Sequence, residues 1–358
     1  MKKKVSAVVP CYNAAKYLDK CITQLLHQTI GIENIEIILV DDASTDGGET
    51  RALIEAYEKK FPNTIIAVFL EQNLRQGGAR NAGVTCANGE YLIFCDADDW
   101  LLEETMEHTW QAAKEYDADV VAFSRRNVNM RDNSVGLEKG TENKFFELEE
   151  ERKRKSFLLD MRETGYSSQN KLFRTSLIKE YQITFVEHLI MEESSFSLPV
   201  RLYAKKYYYL DECLYICWLS PESTLRNRNW ESRKWDNLQV WVIMIEELKC
   251  RGMFQKYQEE IEYLFFTDGV EGCLSAMFLK GCSLTKNEWI FFVDIVKRIL
   301  PVIRKNPYIE KTAHPFNRAW NDLIFRVLDM EFTDKNVKSV NQALSECVRA
   351  FSRCPALC

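Results

Sequence analysis

Short apolar runs alternate with amphipathic stretches through the first 124 residues, and that alternation leaves few folds open. Val5–Val9, Ile35–Val40, Ile65–Leu70, Tyr91–Cys95 and Asp119–Phe123 read as strands, being short and bounded by turn residues. Helical periodicity fills the gaps at about 47–60, 75–87 and 103–116. A first helix carries Leu18, Ile22, Leu25 and Leu26 on one face, with Asn13 placed to cap it. Strands that alternate with helices form a parallel sheet covered on both faces. Such sheets bind ligands beyond the carboxyl ends of their strands, so polar residues should gather there. They do: strand one runs into Pro10-Cys11-Tyr12-Asn13, strand two into Asp41-Asp42-Ala43-Ser44-Thr45-Asp46, and strand four into Asp96-Ala97-Asp98-Asp99.

Composition removes other classes. Hydrophobic residues make up 46% of the 358 and charged residues 28%, an ordinary globular balance. A net charge of -6 gives no basic face for nucleic acid. The run Arg152-Lys153-Arg154-Lys155 reads as a solvated helix face. Twelve cysteines are scattered without C-x-x-C spacing, which fits free thiols in a reducing cytoplasm rather than a disulfide framework or a zinc site. His27, His108, His188 and His314 share no ligand spacing and read as structural. Lys2-Lys3-Lys4 opens like a signal peptide, but the apolar run breaks at Pro10, and no stretch has the length to span a bilayer.

Each polar cluster has a chemical use and an ordinary alternative. Asp96 and Asp98, one residue apart on a loop, can share a hard cation, because Mg2+ and Mn2+ take oxygen ligands. The same run also suits a helix-capping turn. Asp42 can accept a base N–H, while Asp41-Asp42 with Ser44, Thr45 and Asp46 equally suits a turn that caps the next helix. Tyr12 can stack on a base, or simply be a half-buried ring. Gly77-Gly78 at a helix start permits close backbone approach, and Arg75 and Arg80 can pair with a diphosphate. No Gly-Lys-Ser/Thr follows, so this is no Walker loop. Glu192-Glu193, in an apolar setting, offers a general base or a helix cap.

Together these segments resemble the family 2 glycosyltransferases of the GT-A type. The residues that carry the likeness are Val8-Val9-Pro10-Cys11-Tyr12-Asn13, Val40-Asp41-Asp42-Ala43-Ser44-Thr45-Asp46 and Ala79-Arg80-Asn81-Ala82-Gly83. Gly89-Glu90-Tyr91-Leu92-Ile93-Phe94-Cys95-Asp96-Ala97-Asp98-Asp99-Trp100 and Asn170-Lys171-Leu172-Phe173 continue it in order. The likeness covers residues 5–124 well, 165–225 moderately, and nothing beyond about 230. It implies a GT-A nucleotide-sugar-binding α/β fold and an inverting transfer from a nucleoside diphosphate sugar, UDP-linked, to a saccharide or lipid-linked saccharide acceptor, with Mg2+ or Mn2+. By motif position Pro10, Tyr12 and Asp42 hold the nucleoside with Asp41 in support, and Ala97 belongs to the same donor wall. Asp98 ligates the metal, and Asp96 contacts ribose or the metal. Two departures stand out. Glu193 takes the base position where the family usually has Asp, which keeps a non-catalytic sugar-nucleotide-binding module as the alternative. Arg75 stands where the family often has Gly.

The expected division is a catalytic domain at 1–228 and a mostly helical region at 229–358. That region is a candidate for acceptor binding, subunit pairing or contact with the inner membrane face. Trp289-Ile290-Phe291-Phe292-Val293, followed by Lys297-Arg298 and Arg304-Lys305, fits either a helix lying on an anionic bilayer or a buried one.

Overall fold

A computed structural model describes residues 2–129, 135–137, 142–160, 165–219, 230–310 and 315–351. The chain divides into two compact units, Met1–Asn227 and Arg228–Cys358. His314 lies outside the described residues.

The first unit holds strands β1 (Val5–Cys11), β2 (Ile35–Asp41), β3 (Ile65–Phe69), β4 (Tyr91–Phe94), β5 (Trp100–Leu101), β6 (Val120–Asn129), β7 (Val135–Leu137), β8 (Lys144–Glu147), β9 (Lys171–Arg174) and β10 (Lys206–Leu219). Its helices are α1 (Ala15–Leu26), α2 (Glu49–Lys60), α3 (Arg75–Cys86), α4 (Thr105–Glu115), α5 (Glu151–Leu159), α6 (Thr175–Glu180) and α7 (Glu193–Tyr203). One sheet runs in the order β3-β2-β1-β4-β9-β6-β10-β5, with β7 added to β6 and β8 to β10. The expected α/β fold is present, and all five expected strands are in it. The sheet is mixed, because β9 enters antiparallel between β4 and β6. That reversal carries the start of β9 to the edge where β4 and β6 end.

Side chains alternate along each strand, and both faces are buried. Val5, Ala7 and Val9 of β1 join Leu18, Ile22 and Leu25 of α1, Ile54 of α2 and Met106 of α4 on one face. Val8 joins Ala79 of α3, Phe157 of α5, Ile178 of α6 and Phe196 of α7 on the other. Each fully buried Leu or Ile of α1 contributes about 1.5–3 kcal/mol of transfer free energy, which holds the first turn of α1 beside the end of β1. Helix α3 lies close on β1: a Cβ on Gly83 would meet Val8 Cγ1 at 2.3 Å.

Two local expectations are corrected. Asn13 does not cap α1. It has φ +50° and binds the β2 exit instead, while Thr50 Oγ1 accepts from the Ala14 and Ala15 N–H groups. The 152–155 run is not wholly solvated. Arg154 is buried and donates to the Arg201 and Ala204 carbonyls.

The second unit is helical, through α8 (Asp236–Cys250), α9 (Met253–Lys256), α10 (Gln258–Leu264), a π-helical segment at Phe265–Glu271, α11 (Gly272–Leu279), α12 (Lys286–Ile299), α13 (Pro307–Glu310), α14 (Pro315–Asp329) and α15 (Val337–Phe351). Helix α12 has a Thr285/Glu288 capping box. Of the aromatic run, Trp289, Phe292 and Val293 are buried, whereas Ile290 and Phe291 are exposed. Among the described residues no helix is long and apolar enough to cross a membrane.

Candidate active site

The exits of β1 and β2 form one corner. The pairing of β4 with β1 stops at Val8↔Phe94, so Pro10, which has no N–H to donate, lies beyond it. Tyr12 follows with its ring 47% exposed and its hydroxyl 3.4 Å from Thr45 Oγ1. Asn13 donates its N–H to Ser44 Oγ and accepts from the Thr45 N–H, locking the two exits together. Asp41 accepts the Ser44 N–H at 3.1 Å and shapes the turn. Asp42 is buried and accepts the Leu74 N–H at 2.7 Å. Burial raises its pKa to about 6, against the opposing pull of the Leu74 N–H and the Arg75 charge. Arg75 opens α3 with φ +67°. That conformation suits glycine, so the Arg occupies a position with a backbone cost of about 1–2 kcal/mol.

The β4 exit supplies the acidic loop, where the aspartates have unlike surroundings. Asp96 accepts from Arg80 Nη2 at 2.8 Å and from Gln169 Nε2 at 3.0 Å. Asp99 is buried and accepts from the Tyr215 hydroxyl and the Trp218 N–H, each at 2.7 Å. Burial, then Asp96 and Asp98, push its pKa well up. Ala97 is buried between these groups. Asp98 has no side-chain partner among the described residues. Burial and the Asp96 charge raise its pKa to about 6.

A desolvated carboxylate with no cation beside it suits a divalent ion. Among the described residues no group of three or more His, Cys, Asp or Glu side chains could hold a metal by itself. A metal here therefore needs oxygens from its ligand, the pattern by which Mg2+ binds one or two carboxylates plus phosphates.

Arg80 lies elsewhere than its motif suggests. Its side chain is 1% exposed and bridges Asp96 and Glu192, at 2.8 Å from each. Burial opposes its charge, but Asp96, Glu192 and Glu193 outweigh this and raise its pKa. The guanidinium also sits 5.3 Å over the Phe185 ring. In this structure the guanidinium spends its donors on these two carboxylates rather than presenting them to solvent.

Glu192 is buried, and burial raises its pKa against the pull of Arg80. The segment before α7 lies close on α3, since a Cβ on Gly77 would meet the Val186 carbonyl oxygen at 2.6 Å. Glu193, half-buried at the start of α7, accepts from the Ser168 N–H at 3.3 Å and hydroxyl at 3.2 Å through Oε1. Arg80 thereby ties the loop of Asp98 to the turn of Glu193. Asn13 and Ala43 follow β1 and β2, Arg75 opens α3, and His188 and Met191 precede α7; all five have positive φ. Such strain gathers at ligand clamps.

Three contributors carry no strong sequence signal. Gln169 stands just before the Asn170-Lys171-Leu172-Phe173 motif, and only the antiparallel course of β9 brings it to Asp96. Ser168 arrives the same way. Tyr215 lies in a strand whose pairing with β5 aims its hydroxyl at Asp99 and at the Asp96 N–H.

Comparison with known proteins bears on the family and the fold. Residues 6–182 match the profile described as glycosyl transferase family 2. A poly(ribitol-phosphate) beta-glucosyltransferase of Bacillus spizizenii is 30% identical over 236 residues, covering 62% of this chain and 35% of that protein. The glycosyltransferase GlyG of Streptococcus pneumoniae is 39% identical over 133 residues, covering 37% of this chain and 42% of that protein. A crystal structure of S. aureus TarS 1-349 with UDP-GlcNAc shares the fold, with a TM-score of 0.65, 23% identity, and coverage of 97% of this chain and 92% of that one. The chain spans well under half the length of these two curated relatives.

Proposed function

Residues 6–182 of this chain are a glycosyl transferase family 2 domain, and from that premise we propose that the protein transfers a sugar from a UDP-linked donor to a hydroxyl of a polyol-phosphate or related cell-surface polymer. The observation that carries the reading is the Arg80 bridge. It fixes Asp96 and Glu192 at 2.8 Å each, and so ties the loop of Asp98 to the turn of Glu193. The acceptor class is suggested by the poly(ribitol-phosphate) enzyme among the relatives. A nucleotide-sugar donor supports a cytoplasmic place of work, and in this reading the acceptor is met at the inner face of the membrane.

In this reading Tyr12 stacks on uracil, and Asp42 accepts its N3–H. Pro10 and Asp41 shape that corner, and Arg75 faces the phosphates. A divalent metal, held by Asp98 with Asp96 nearby, would neutralise charge on the departing diphosphate. Glu193 takes the proton of the acceptor hydroxyl on Oε2, the oxygen that Ser168 leaves free. The acceptor oxygen forms its bond to the anomeric carbon as the bond to the β-phosphate oxygen breaks. UDP leaves, and the configuration inverts. Holding donor and acceptor in line supplies much of the rate.

Two measurements test this. Thermal stabilisation by UDP-sugars with and without Mn2+ identifies the donor, since ligands that bind only the folded state raise its melting point. Glu193→Gln should abolish transfer while UDP binding persists. Normal transfer by a folded Glu193→Gln protein removes Glu193 as base. Donor binding without turnover in the unaltered protein favours a non-catalytic module, in line with Glu replacing the usual Asp.

A further inference from the structure

Beyond the donor corner, the far end of the sheet carries an arrangement the transfer chemistry leaves unused. Trp100 and Trp218 stand side by side on β5 and β10, with ring centroids 5.1 Å apart at 43°. Lys20 of α1 lies over Trp100 at 3.3 Å and faces Trp218 at 5.4 Å. Lys20 is exposed and both rings are half-exposed. Among the described residues no carboxylate pairs with Lys20.

Asp99 ties this cluster to the acidic loop. It accepts the Trp218 N–H and directly precedes Trp100 in the chain. The cluster is therefore fixed relative to Asp98. The uracil corner sits on β1 and β2, the acidic loop on β4, and the two tryptophans on β10 and β5. In sheet order the tryptophans fall past β4 from that corner, and Lys20 brings α1 against them beside the acidic loop.

We infer that Lys20, Trp100 and Trp218 form an outer acceptor subsite for an anionic, polyhydroxylated chain: a phosphodiester on Lys20 and the C–H face of a sugar or polyol on Trp218. This rests on the proposed transfer for its acceptor side. The chemistry is specific. An ammonium held over an indole is pre-ordered without losing its charge. It keeps N–H donors for a phosphate oxygen, which an ion pair to a carboxylate would have consumed. The 5.4 Å to Trp218 leaves that ring less covered than Trp100.

The test is direct binding of a ribitol-phosphate oligomer to the full chain by titration calorimetry, with UDP present and at two salt concentrations. Lys20→Gln should weaken binding about three- to fivefold, as for one exposed charge contact, and flatten the salt dependence. Lys20→Arg should restore much of it, while Trp218→Leu should weaken it with less effect on the salt slope. Lys59→Gln, an exposed lysine on α2, is the charge-matched control and should bind like the parent. Equal binding by Lys20→Gln and Lys59→Gln overturns the subsite. So does equally tight binding of a neutral oligosaccharide of the same length. Because the readout is binding, loss of sugar transfer with Lys20-dependent binding intact would refute the transfer reading and leave the subsite standing.

Discussion

Replacing Arg80 with Met keeps the length of the side chain and removes the charge that joins two carboxylates. Asp96 and Glu192 each lose a 2.8 Å partner, and Glu192 is only 3% exposed, so water cannot take the guanidinium's place. Breaking a buried pair from one side costs about 3–5 kcal/mol. For a unit of this size each kcal/mol shifts the melting temperature by about 2–4 °C, giving a fall of about 6–20 °C. The pH dependence has a definite sign. Burial already raises the Glu192 pKa while Arg80 pulls it down. Removing Arg80 raises it further, and a carboxyl with a raised folded pKa favours the folded state when protonated. The deficit of Arg80→Met should therefore be largest at pH 8 and shrink as pH falls towards 4.5. Adding Glu192→Gln removes one of the stranded charges, so the double variant should recover about 1–3 kcal/mol relative to additivity. Arg80→Lys should fall between, since one ammonium lacks the fork that spans two carboxylates. Denaturant unfolding at pH 5 and pH 8 measures the parent, Arg80→Met, Arg80→Lys, Glu192→Gln and the double variant. A loss below 1 kcal/mol for Arg80→Met, or a deficit that grows on acidification, refutes the bridge.

Asp42 should trade stability for binding. Its pKa rises from 3.8 to about 6 on folding, so the ionised form costs about 1–3 kcal/mol. Asp42→Asn should be more stable above pH 6, lose that advantage as pH falls through 6 towards 4, and bind UDP more weakly. Equal stability differences at pH 4 and pH 7.5 would refute the assignment. Asp98→Asn should remove any Mn2+-dependent increase in UDP affinity and, since burial raises the Asp98 pKa to about 6 as it does for Asp42, should not lower the unfolding midpoint above pH 6; retained metal dependence would move the ligand elsewhere. Gly77→Ala places a Cβ 2.6 Å from the Val186 carbonyl. Overpacking of this kind costs about 1–3 kcal/mol, and the displaced turn should lower transfer more than UDP binding. A variant with unchanged stability would show that the turn yields freely.

Much of the strand-exit cluster is legible in the sequence because its signals are local. Strand period, helix period and the acidic residues at strand exits lie within a few positions of one another. Arg75 shows how far local reading goes: its departure from glycine is visible in the chain, but its φ of +67° is not. Arg80 shows what such reading leaves out. The motif places it beside a phosphate-binding turn, and nothing nearby reveals that its partners are Asp96, 16 residues on, and Glu192, 112 residues on. Asn13 fails for the same reason: the turn it was expected to cap is capped by Thr50 from α2, and its own hydrogen bonds go to Ser44 and Thr45.

By itself the sequence determined an α/β sheet with its acidic residues at one edge, because side-chain period and turn chemistry are properties of neighbouring residues. The tertiary structure alone decided which aspartate does what. Asp96, Asp98 and Asp99 are nearly equivalent in the chain, yet one is bridged by Arg80 and Gln169, one has no side-chain partner among the described residues, and one is held by Tyr215 and Trp218. A carboxylate's chemistry follows from its desolvation and its partners, and those come from β9, α3 and β10, which only folding brings to the end of β4.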